Sequence, residues 1–265
     1  MSAPDLGVLA EHLSMETDAL RGALGAAGTE AFATPTPSEG WTVADQVSHL
    51  AYFDEAATAS VLDAARFDEL RAEAFEQGLA MCDVIAARYR DRTPNQLLEW
   101  WAAARTSMIA AMLAAGPSAR VPWYGPDFSV ASAMTGRIME TWAHGQDVYD
   151  ALGVDHPVTE ALYDVARLCA RTRANSYAAR AMAPPEGDVD VVLVAPDGTT
   201  WRFGDAGGES ITGSAVEFCL VATQRRNHAD TSLRPSGPLA AQWLEIAQAF
   251  AGPAGKGRAP IGVRP

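Results

Sequence analysis

With 265 residues, 48% of them hydrophobic and 20% charged, the chain has the composition of a folded globular protein long enough for two domains of ordinary size. Its formal net charge of -13 repels a phosphate backbone, and the densest basic feature, Arg225-Arg226, is two residues rather than a patch, which excludes nucleic acid as a partner. No apolar run reaches the ~20 residues of a membrane span, and the first residues lack the basic-then-apolar order of a secretory leader. Cys82, Cys169 and Cys219 stand far apart without CxxC spacing and read as small buried apolar side chains in a reducing compartment. The expectation is a cytoplasmic protein whose partner is a small molecule. Nothing in the sequence indicates an oligomeric state.

The first 183 residues carry helical patterns. Leu6, Leu13, Leu20 and Leu24 form one apolar stripe, followed by a breaker-rich loop from Thr34 to Gly40. Trp41-Thr42-Val43-Ala44-Asp45 has the form of a helix start, with Thr42 as cap and Asp45 as its reciprocal carboxylate. That helix continues through Val47, His49, Leu50 and Phe53 towards Leu62. Residues 67–90 are charged and Ala-rich, an exposed helical stretch with no clear position in a bundle. Thr93-Pro94 opens a further helix with Trp101, Met108 and Met112 on its apolar side, stopped by Gly116-Pro117. A loop containing Trp123-Tyr124-Gly125-Pro126 leads to a helix capped by Ser129 and running to Leu152-Gly153, and a last long helix is expected over 158–182.

The texture then changes. Pro184-Pro185 marks a seam, Val189–Val194 and Thr199–Phe203 are two strands joined by a Pro196-Asp197-Gly198 turn, and helices are expected over Ala215–Thr223 and Leu239–Phe250. This divides the chain into a helical domain (1–183), an α+β domain (188–252) and a mobile Gly/Pro-rich tail (253–265).

Glu140 and His144 lie four residues apart, one turn of helix, offset by ~40° and ~6 Å, so both can reach one small cation. His49, between Val47 and Leu50, supplies a third donor if it faces inward. Two imidazoles and a carboxylate leave a coordination position open, the arrangement of a catalytic rather than a structural zinc. The bland alternatives stand beside this. An i, i+4 Glu–His pair is common on solvated faces, and a histidine on a half-apolar helix is usually a hydrogen-bonded core residue. His12, His156 and His228 lie in charged or loop-like surroundings and are weaker candidates.

The segment Gly40-Trp41-Thr42-Val43-Ala44-Asp45-Gln46-Val47-Ser48-His49-Leu50 resembles the first ligand segment of DinB-like metal-binding bundles. Glu140-Thr141-Trp142-Ala143-His144-Gly145-Gln146-Asp147-Val148 is similar to the second ligand segment of the mycothiol-dependent maleylpyruvate isomerase branch, whose pattern is E-x3-H-x2-D. Trp123 to Pro126, with Arg137 to Val148, is closer still to an actinobacterial subfamily of metal-binding proteins. The resemblance implies a mainly α protein, a DinB-like four-helix bundle followed by a small α+β, sterol-carrier-like C-terminal domain that helps to close the site. It implies His49, Glu140 and His144 as ligands of a divalent metal, zinc above all, with nickel, iron or manganese also compatible. Glu140 departs from the histidine of most DinB-like proteins and agrees with the isomerase branch. Asp147 is then a candidate to orient an imidazole, or a plain helix-surface residue.

By the same resemblance, Arg226 is a candidate catalytic residue, because an arginine after the C-terminal helix contributes to the isomerases' activity. Here Thr223-Gln224 stands where they carry Gly, which leaves open whether Arg225 or Arg226 corresponds. Arg137, one turn before Glu140, could hold a substrate carboxylate above the metal or form an i, i+3 pair with Glu140. Trp123 and Tyr124 would shape the pocket if their loop covers the metal. The implied function is a metal-dependent isomerase or transferase with mycothiol as thiol cofactor, acting on a small electrophilic or acidic molecule. The alternatives are a thiol-independent hydrolase, lyase or cyclase, and a non-catalytic metal- or ligand-binding module.

Overall fold

The computed structural model describes residues 5–205 and 207–263. Its contacts divide the chain into two compact units, Met1–Ala161 and Leu162–Pro265. The first unit is built on four long helices, α1 (Leu6–Ala27), α2 (Val43–Leu62), α5 (Pro94–Ala115) and α6 (Val130–Leu152), with two shorter ones, α3 (Ala64–Gln77) and α4 (Met81–Arg88), between α2 and α5. Helix α2 packs on α5 and α6, and α1 packs on α6. One core gathers Leu20 and Leu24 of α1, Val47 and Leu50 of α2, Leu97 and Trp101 of α5, and Val148 of α6.

The helix starts follow from their capping chemistry. Thr42 accepts from the Asp45 backbone N–H while the Asp45 carboxylate accepts from the Thr42 N–H at 2.8 Å, and Thr93 and Gln96 form the same reciprocal pair at the head of α5. Ser129 caps α6, which ends at Gly153 in the left-handed conformation. The charged stretch that resisted placement forms α3 and α4, and its few apolar residues explain both its exposure and its position. Phe67, Leu70 and Ile85 pack on Tyr52 and Phe53 of α2, and Trp123 and Tyr124 pack against the same cluster. A two-residue ladder, β1 (Arg120–Val121) with β2 (Phe128–Ser129), closes the loop that carries those aromatics. Among the described residues no helix is long and apolar enough to cross a membrane.

The second unit places α7 (Ala161–Arg171) and α8 (Arg173–Ala178) with a four-stranded sheet, so the division falls before the Pro184-Pro185 stretch. The expected single helix over 158–182 is broken at Thr172. There the backbone N–H and the hydroxyl both turn back to the Cys169 carbonyl, a three-residue closure that interrupts the α-helical ladder. The sheet order is β4 (Thr200–Phe203), β3 (Val189–Val194), β5 (Glu209–Ser214), β6 (Arg234–Ser236), with β3 and β5 parallel and both outer pairs antiparallel. The expected hairpin turn is present, with Gly198 at φ 84° and the Asp197 side chain accepting from the Thr199 N–H. Helices α9 (Ala215–Ala222) and α10 (Pro238–Ile246) complete the unit. The Gly/Pro-rich stretch after Gly252 is tied down by backbone hydrogen bonds, Gly255 N–H to Gln248, Gly257 N–H to Gln224 and Ile261 N–H to Asp230. Glycine lets the chain approach this closely, since a Cβ on residue 255 would collide with the Gln224 amide oxygen.

Candidate metal centre

Helix α2 presents His49 and α6 presents Glu140 and His144 to one point. His144 Nε2 lies 3.2 Å and His49 Nε2 lies 3.7 Å from the same oxygen, Glu140 Oε2. The three donor atoms all lie within 4.8 Å of one another, the group of metal-ligand type found among the described residues. Tetrahedral zinc with bonds of roughly 2.0–2.2 Å sets its ligand atoms about 3.3–3.6 Å apart. The Glu140–His144 edge, at 3.2 Å, and the His49–Glu140 edge, at 3.7 Å, bracket that length, and the third edge, from His49 to His144, is within 4.8 Å. The donor set fits zinc.

The charge states fit as well. Burial, reinforced by the neighbouring His144, lowers His49 from 6.5 to about 3 against the opposing pull of Glu140, so the imidazole is neutral with a lone pair to offer. Burial pushes the Glu140 carboxyl up, but the imidazoles of His144 and His49 outweigh it and hold the group well below the ordinary carboxylate range. Cys82 is the nearest thiol to consider. Burial first, then the charges of Glu140 and Asp83, push it up to about 12, so it is no thiolate near neutral pH.

Aromatic rings wall the site. Trp41 lies 5.3 Å from the His49 ring and stacks on His144 at 6.0 Å, its indole N–H fixed on Asp83 at 2.7 Å. Phe53 contacts His49 at 4.6 Å, and Tyr124 meets Phe53 edge-on at 5.7 Å, so the Trp123-Tyr124 loop borders the centre through Phe53.

The remaining candidates fall elsewhere. Arg137 makes no pair with Glu140. It is buried, with Nε donating to Asp54 Oδ1 at 3.0 Å and the terminal Nη2 donating to the Leu50 carbonyl at 3.3 Å. Arg105 occupies the other Asp54 oxygen at 2.7 Å and also binds Thr17 and Thr141, making a buried charged knot between the helices. Asp147 accepts from Ser38 at 2.9 Å, while the side chain at His144 Nδ1 is Gln46, at 2.5 Å. Gln46 was not singled out from the sequence, and a polar amide on an apolar helix face one turn before a candidate ligand is the signal that could have found it. His156 pairs with Glu16 at 3.3 Å and His12 with Glu160 at 3.5 Å, apart from the three donors. In the C-terminal unit, Arg226 lines a cleft with Arg180, Lys256 and Arg258, four cations against the single carboxylate of Glu245 among the described residues, in an otherwise acidic protein.

The family described as "Mycothiol maleylpyruvate isomerase N-terminal domain" matches residues 13–149, a span that contains all three donors. Two proteins of Mycobacterium tuberculosis, "Uncharacterized protein MT0041" of strain CDC 1551 / Oshkosh and "Uncharacterized protein Rv0036c" of strain H37Rv, are each 39% identical over 255 residues, covering 96% of this chain and 99% of their own. The crystal structure of the mycothiol-dependent maleylpyruvate isomerase matches with a TM-score of 0.60 at 17% identity, over 89% of this chain and 96% of that one. A histidine-to-alanine variant of that isomerase gives 0.59 at 16% identity, over 85% and 92%. At those identities the likeness is one of fold, mainly α with a C-terminal α+β part.

Proposed function

The chain belongs to the mycothiol maleylpyruvate isomerase N-terminal domain family, and on that premise we propose that it is a zinc-dependent, mycothiol-using enzyme of the isomerase or transferase type, acting on a small electrophilic acid. The observation that carries this reading is the convergence of a neutral His49, an ionised Glu140 and His144 on one point walled by aromatic rings. Zinc held there supplies the positive charge that keeps a bound thiol ionised near neutral pH. Trp41 and Phe53 exclude water from the imidazoles, which strengthens every electrostatic contact at the donors. Burial holds Cys82 as a neutral thiol, which supports a small-molecule thiol rather than this cysteine as the sulfur donor.

Two arginines complete the proposal. Arg137, fastened to Asp54, acts through its charge, which favours the neutral form of His49 and an anion at the centre. Arg226, in its cationic cleft, serves as an anion-holding group of the C-terminal unit, a role that its planar guanidinium suits.

Cobalt substitution tests the thiol. Addition of mycothiol to the cobalt-loaded protein is expected to produce a thiolate-to-metal charge-transfer band. A spectrum untouched by mycothiol removes the thiol-dependent reading and leaves a thiol-independent metal enzyme or a binding module.

A further inference from the structure

We propose that Gln46 is the positioning residue of the metal centre, taking the Nδ1 proton of His144 and so turning the Nε2 lone pair towards the cation position beside Glu140. The inference rests on the metal reading above and deepens it. Gln46 lies on α2, three residues before His49, and its side chain is fully buried. Its Oε1 is 2.5 Å from His144 Nδ1, and its Nε2 donates to Thr36 Oγ1 at 3.0 Å. Thr36 Oγ1 donates in turn to the Trp41 carbonyl at 3.0 Å.

The order of donors and acceptors along this chain sets the tautomer. A hydroxyl has one proton. With that proton on the Trp41 carbonyl, Thr36 is an acceptor for the Gln46 amide nitrogen, and the amide oxygen is left facing the imidazole. An amide oxygen cannot donate, so the Nδ1 that faces it carries hydrogen. The free lone pair is then on Nε2, the atom 3.2 Å from Glu140 Oε2. Metal-bound histidines are commonly held by a hydrogen bond at the second nitrogen, which fixes the ring and raises its basicity.

The relay also explains why the loop before α2 matters. It starts at Thr36, in the Thr34–Gly40 loop that leads into α2, passes through Gln46 and ends on His144 of α6, 98 residues further along the chain. His49 is held differently. Its Nδ1 is buried with no hydrogen-bond partner among the described residues, and its ring is placed by contacts with Trp41 and Phe53. One imidazole is oriented by a hydrogen-bond chain, the other by packing.

The test measures zinc affinity of the whole chain by chelator competition for wild type, Gln46→Leu, Gln46→Glu and Thr36→Val, with the His144 Nδ1–H resonance followed by NMR in the zinc-loaded forms. Gln46→Leu is expected to lose about 10–100-fold in zinc affinity, with its Nδ1–H exposed to exchange. Gln46→Glu retains an acceptor and is expected to bind zinc at least as tightly as wild type. Thr36→Val, in a half-exposed loop position, is expected to lose less than Gln46→Leu and in the same direction. Zinc binding by Gln46→Leu at wild-type strength, or a Gln46→Glu as weak as Gln46→Leu, overturns the assignment. Should Gln46→Leu fail to fold, unchanged zinc affinity and an unchanged Nδ1–H in Thr36→Val overturn it instead. A wild-type chain that takes up no zinc overturns the metal centre itself, a result distinct from zinc uptake that is indifferent to Gln46.

Discussion

Helices α2 and α6 share two charged clusters about a turn apart. In one, Asp54 holds Arg105 and Arg137, with Thr17 and Thr141 taking further guanidinium protons, and every one of these side chains is buried. In the other, Glu140 faces two imidazoles, its side chain about a quarter exposed, and both imidazole Nε2 atoms converge on the one oxygen Glu140 Oε2, while His49 Nδ1 is left without a hydrogen-bond partner among the described residues. Both clusters bring carboxylates and basic groups of α2 and α6 together, the first with Arg105 of α5 added. The first is internally satisfied, which makes it scaffold. The second gathers three donors of metal-ligand type on one point, the arrangement on which the proposed metal centre rests. Residue types do not separate the two; the state of their hydrogen bonds does.

That contrast can be broken most forcefully at Asp54. Asp54→Ala leaves two buried guanidiniums without their counter-charge and is expected to cost about 3–5 kcal/mol, read as a fall in the urea midpoint. A stability loss below about 1 kcal/mol would show that the knot is not scaffold. The metal cluster should behave in the opposite way. Zinc at a hundred times its dissociation constant is expected to stabilise wild type by ~2.7 kcal/mol, and His49→Ala and His144→Ala are expected to abolish that gain and the bound metal while folding without zinc. Full metal occupancy in both variants would remove the site.

Acid sharpens the same comparison in the metal-free protein. His49 is lowered from 6.5 to about 3, so between those values the unfolded chain takes a proton that the folded chain refuses. Stability therefore falls as pH drops from about 6.5 towards 3, and the depressed Glu140 carboxyl adds to the fall in the same direction at its acid end. Denaturation midpoints of metal-free wild type and His49→Asn should converge as pH falls through this window, and parallel curves would contradict the burial of a neutral His49. The smallest effect is expected at Thr42, whose cap sets the start of the helix that carries His49. Thr42→Ala is expected to cost ~1 kcal/mol in thermal unfolding without altering zinc stoichiometry.

Local features of the chain were legible because local chemistry determines them. Thr42 with Asp45, Thr93 with Pro94, Ser129 and Gly153 mark helix ends through bonds made within a few residues, and the Pro196-Asp197-Gly198 turn does the same for the hairpin. The three donors were legible as an i, i+4 pair plus one histidine, and became one pattern through the flanking segments. The anchoring of the 253–263 stretch was not legible, because it depends on which side chains distant segments offer, and the break at Thr172 was missed because its local closure onto the Cys169 carbonyl leaves no breaker residue in the sequence.

By itself, then, the sequence determined the helical class, the capped ends, the hairpin and the identity of the three candidate donors, all properties of neighbouring residues or of motif. Tertiary structure alone decided that Arg137 belongs to Asp54 rather than to Glu140, and that Gln46 rather than Asp147 meets His144 Nδ1. The reason is physical. A buried polar group bonds to whatever partner packing brings within about 3 Å, and on a four-helix bundle that partner sits on another helix, tens of residues away in the chain.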